Sequence, residues 1–74
     1  MPTSKTQHAR ETALRMVTSH TPDWTIGEVS FYNRQALIVV IKPEGETRLV
    51  GRSYYDCMHE LRLQIEANRR AKKS

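Results

Sequence analysis

The stretch "QALIVVIK", residues 35–42, limits what this chain can fold into more than any other. Ala36 through Ile41 are apolar without interruption, and Ile38, Val39, Val40 and Ile41 are all β-branched. Such side chains lose rotamer freedom in a helix and pack well on a pleated surface. The run is also far short of the ~20 apolar residues that cross a bilayer. It predicts a strand, with turn chemistry on both sides. Asn33-Arg34 before it suits a tight turn, because asparagine tolerates positive φ. After it, Pro43 presets φ for a turn and Gly45 supplies a left-handed position.

Two further strands follow from this one. "DWTIGEVSFYN" reads as an extended segment of about eight residues, with Val29 and Phe31 pointing one way and Ile26 and Tyr32 the other. "TRLVG" supplies the third. Strands joined by short hairpins form a meander, which puts "QALIVVIK" at its centre.

Helices flank the strands. Ser4-Lys5-Thr6-Gln7 has the form of a capping box, and Ala9, Ala13, Met16 and Val17 then recur at helical spacing with Leu14 on the flank. This helix is expected to stop near Ser19, since Thr21 precedes Pro22 and is pushed out of the α region. Ser53 is a hydroxyl cap for a second helix, with Asp56 in the first turn where the macrodipole favours an acid. Tyr54, Cys57, Met58, Leu61 and Ile65 share one face of it, and Ala67, Ala71 and basic residues continue it. The expected fold is α+β: one small domain over residues 1–74, frayed at 1–4 and 70–74, ordered α-β-β-β-α. Its three-stranded antiparallel meander has two helices packed on one face.

A chain of 74 residues buries only roughly 60% of its unfolded surface. Its one cysteine, Cys57, excludes an internal disulfide, fits a reducing compartment, and leaves no paired Cys/His spacing for zinc. "MPTSKTQHARE" at the start has no hydrophobic signal segment, so the protein is expected to be cytoplasmic, with no membrane partner.

The central strand poses a problem for this arrangement. Two helices cover one face of such a sheet, and the other face should alternate polar with apolar. Yet Leu37, Val39 and Ile41 on one side are matched by Ile38 and Val40 on the other. Either the helices split or Trp24 folds over the second face, or that face is an interface. The sequence favours the interface, most simply a homodimer contact through Ile38, Val40 and Tyr32.

Catalytic chemistry has little to stand on. His8, His20 and His59 fall in three segments, and Cys57 and His59 diverge by about 200° on a helix. Glycines at 27, 45 and 51 form no phosphate-cradling loop, and Glu44 and Glu46 lie on a turn. No enzyme activity, cofactor or metal is expected. Tyr54-Tyr55 and "SFYN" offer possible stacking surfaces, although such aromatics more often pack a core or hairpin.

Charge is the stronger signal. The net +4 is distributed as +2 over residues 1–20, −1 over 21–51 and +3 over 52–74. The chain ends "IEANRRAKKS", with four cations in its last six residues. Cations there complement the helix dipole by ~0.3–1 kcal/mol, but four exceed what capping needs. The expected function is that of a small non-enzymatic nucleic-acid-associated protein of low specificity, for RNA or DNA. Arg52, Arg62, Arg69, Arg70, Lys72 and Lys73 would contact phosphates. The alternative is a modulator or inhibitor of plasmid or phage type, docking on a larger protein through its sheet face and basic helix.

The order α-β-β-β-α resembles that of double-stranded-RNA-binding domains, in topology alone. Where that family carries a lysine cluster at the start of its second helix, "GRSYYDC" offers only Arg52. Asn33-Arg34-Gln35 stands where the family has a glycine-proline-histidine loop. No function is carried over from the likeness.

Overall fold

The computed structural model describes residues 4–73; of the expected fraying at 1–4 and 70–74, positions 1–3 and 74 lie outside them. Helix α1 spans Ser4–His20, strands β1, β2 and β3 span Thr25–Tyr32, Gln35–Lys42 and Gly45–Gly51, and helix α2 spans Tyr54–Lys73. The strands form one antiparallel sheet in the order β1-β2-β3, and both helices lie on one of its faces.

Local chemistry sets each boundary. The last turn of α1 is closed by the Val17 carbonyl, which accepts both the Thr21 N–H (2.6 Å) and the Thr21 hydroxyl (2.9 Å). Pro22 and Asp23 then turn the chain, closed by the Trp24 N–H on the Thr21 carbonyl at 2.9 Å. The β1–β2 hairpin is a two-residue turn with positive φ at Asn33 (48°) and Arg34 (59°), the type I′ geometry that matches strand twist. Gly45, at φ 140°, follows the Pro43-Glu44 turn. Ser53 caps α2, its hydroxyl accepting the Asp56 N–H at 3.4 Å.

A bulge reverses the expected phase of β1. Ile26 pairs with Val40 but Glu28 pairs with Val39, so Gly27 is an extra residue. Ile26 therefore lies with Val29 and Phe31 on the helix side rather than with Tyr32.

The core forms between the helices and that side of the sheet. Ala9, Ala13 and Val17 come from α1, and Cys57, Leu61 and Ile65 from α2. The small residues of α1 let its backbone approach β1, while each fully buried Leu, Ile or Val contributes about 1.5–3 kcal/mol. Trp24 closes one end, with Lys42 Nζ 4.6 Å from its ring centroid and donating at 2.7 Å to Gln64 Oε1. Trp24 thus belongs to the helix side and does not cover the second face.

Ile38 and Val40 are 0% and 1% exposed beneath the helices. The expected interface through these two residues is thereby corrected. The outer face is formed by Leu37, Val39 and Ile41, flanked by Tyr32 and Val50. Physically, Ile38 pairs with Leu49 and Val29, and Val40 with Ile26, so the apolar neighbours on the edge strands choose the buried parity. Tyr32 remains at the surface.

Candidate nucleic-acid interface

At the sheet end near the β1–β2 turn, the molecule holds an open groove of 690 Å³. α1 contributes Lys5, His8 and Thr12, and the hairpin contributes Phe31, Tyr32, Arg34 and Gln35. The β3–α2 junction adds Arg52, Ser53, Tyr54 and Tyr55. None of the residues lining the groove is acidic.

The floor is aromatic and fixed. Phe31 and Tyr54 have ring centroids 6.1 Å apart, and Tyr55 stands nearly edge-on to Tyr54 at 6.2 Å. Lys5 Nζ sits 5.2 Å from the Phe31 centroid, a cation–π contact. Tyr54 donates its phenolic hydrogen to the Ala9 carbonyl at 2.8 Å. Burial pushes the Tyr54 phenol above its ordinary value of 10.0, so it is neutral near pH 7 and adds no negative charge to the groove.

Packing explains why α2 starts where it does. A Cβ on Gly51 would lie 2.7 Å from the Asp56 Cβ, so only glycine lets the first turn of α2 fold back against β3. Arg34 is held less comfortably. It occupies the second turn position, where glycine is preferred, in a left-handed conformation costing about 1 kcal/mol.

The cations singled out in the sequence do not form one site. Arg52 lines the groove. Arg62 and Arg69 line a separate hollow with Met16, His20, Ile65 and Glu66, at the far end of α2. The fifteen helical steps from Tyr54 to Arg69 carry the helix about 22 Å. Arg70 is exposed on the same distal segment. Lys72 and Lys73 continue the α2 backbone, and their side chains lie outside the described set. The groove instead recruits Lys5, His8 and Arg34, which sequence reasoning missed. The available signal was Arg34 in a turn directly after "SFYN".

Cys57 takes no part. Its thiol is buried, 3.3 Å from the Ala36 carbonyl and 3.4 Å from that of Leu49, and burial raises its pKa above 9.0. Among the described residues no cluster of three or more His, Cys, Asp or Glu side chains could hold a metal ion. No helix among them is long and apolar enough to cross a membrane. No protein-family model, curated protein or solved structure matches this chain.

Proposed function

We propose that this chain is a small non-enzymatic nucleic-acid-associated protein, and that its phosphate-binding site is the aromatic groove rather than the C-terminal basic run. The observation that carries this reading is the lining: Lys5, Arg34 and Arg52, from three parts of the chain, line one groove together with aromatic rings, with no carboxylate in that lining. Cations around a concave surface release counterions when they neutralise phosphates. Three such contacts give a logarithmic salt slope of about −2 to −3. Arg69, Arg70, Lys72 and Lys73 contribute steering from the distal end of α2.

The test is fluorescence anisotropy of labelled oligonucleotides at two salt concentrations. Paired Arg34→Gln and Arg52→Gln substitutions should weaken binding tenfold or more and flatten the salt slope. Removal of "RRAKKS" should have a smaller effect. Severe loss on tail removal, with the groove variant unchanged, would return the site to the tail.

A second reading has its own observation. Glu28 and Arg48 flank Val39 in register on the outer face. A two-fold axis along β2 would set each Glu28 opposite the Arg48 of a second copy, with Val39, Leu37 and Val50 between them. This favours a homodimer over an unrelated protein partner on that face. Light scattering on the wild type and on Arg48→Glu decides it: a dimer that becomes a monomer supports the contact, and a wild-type monomer at high micromolar concentration removes it.

A further inference from the structure

The groove has a feature that phosphate binding alone does not require. Tyr55 is 82% exposed and Tyr32 is 60% exposed, and both line it. Neither ring contributes appreciably to the core, since large aromatics stabilise a fold by burying area. Tyr55 is nonetheless supported, by its edge contact with the anchored Tyr54. The result is a set of wet ring surfaces next to the cations Lys5, Arg34 and Arg52.

We propose that the groove takes single-stranded nucleic acid, with Tyr55 and Tyr32 stacking on unpaired bases while Lys5, Arg34 and Arg52 hold the adjoining phosphates. The proposal rests on the nucleic-acid reading above and specifies its ligand. Exposed aromatics beside a cationic track are what an unpaired strand uses, because every base has a π face and stacking tolerates any sequence. A double helix hides those faces, and exposing one costs a few kcal/mol of unstacking. Size agrees: 690 Å³ falls within the ~300–1,000 Å³ of sites for one small organic molecule, on the scale of one or two nucleotide units.

The experiment compares three labelled ligands of equal length at low salt: a mixed-sequence single strand, its duplex, and a strand with abasic positions. Each is titrated with wild type, Tyr55→Ala and Tyr55→Trp. Circular dichroism of the variants confirms folding, which the exposure of Tyr55 favours. The single strand should bind about tenfold or more tighter than the other two. Tyr55→Ala should remove most of that margin without changing abasic-strand binding, and Tyr55→Trp should restore it. Equal binding of single and abasic strands, or tighter binding of the duplex, overturns the stacking proposal and leaves the phosphate site standing. Failure of all three ligands to bind overturns both.

Discussion

The Tyr54 phenol reaches across 45 positions of sequence to hydrogen-bond the Ala9 carbonyl at 2.8 Å, tying the first turn of α2 to α1. That bond joins the two helical walls of the groove. Tyr54→Phe keeps the ring and loses the bond, so a stability loss of about 0.5–1.5 kcal/mol is expected in urea unfolding. Burial of this phenol also predicts an alkaline response. The folded-state pKa of Tyr54 lies above the unfolded value, so its contribution is fully present below about pH 10 and is lost as pH rises through the raised folded value. Thermal melts from pH 8 to 11 should show this decline in wild type and a smaller one in Tyr54→Phe. Cys57 adds a decline of the same sign, beginning lower, above its ordinary 9.0.

Glycines 51 and 27 make a matched pair. At Gly51 an added Cβ meets the Asp56 Cβ at 2.7 Å, and the nearby Cys57 backbone N at 3.4 Å, so relief needs a shift of α2. Gly51→Ala should cost about 1–3 kcal/mol. At Gly27 the nearest atom is the Ile41 Cδ1 at 2.9 Å, the free end of a side chain on the outer face. Gly27→Ala should therefore cost under about 1 kcal/mol. Chemical denaturation of both variants checks the contrast.

Arg34 should show a conflict between folding and binding. Arg34→Gly places the preferred residue at the second position of the type I′ turn and relieves the left-handed strain. Stability should rise by up to about 1 kcal/mol while oligonucleotide affinity falls. Unfolding and anisotropy on one preparation measure both.

The two sheet faces predict opposite outcomes for the same substitution. Ile38→Asp buries an unpaired carboxylate and should unfold the chain at neutral pH. Val50→Asp, at a site 61% exposed, should leave the fold intact and change stability by less than about 1 kcal/mol. Far-ultraviolet dichroism separates them at once.

The element order was legible because each boundary has a local cause: the β-branched run of β2, the turn residues Asn33 and Pro43, and the Ser53 cap. The parity of the sheet was not. Both faces of β2 are apolar, and the strand that could have decided between them, β1, changes phase at Gly27. A glycine inside a strand was the one hint of that bulge. The candidate site was less legible still. Lys5, Arg34 and Arg52 come together only when α1, the hairpin and α2 pack, so no spacing along the chain reveals them. The C-terminal cations are conspicuous because they are contiguous, and of the four singled-out cations whose side chains are described only Arg52 reaches the groove.

The bulge makes β1 unevenly tolerant of losing a residue. Deleting Gly27 would leave Ile26 opposite Val40 and Glu28 opposite Val39, with every inward and outward side chain where it already stands. Deleting Ser30 would instead put Val29 and Phe31 on consecutive positions of a regular strand, forcing one of them out into water. In a single-codon deletion scan, β1 would survive at Gly27 and fail on the way to the hairpin, marking the point where its length can drift.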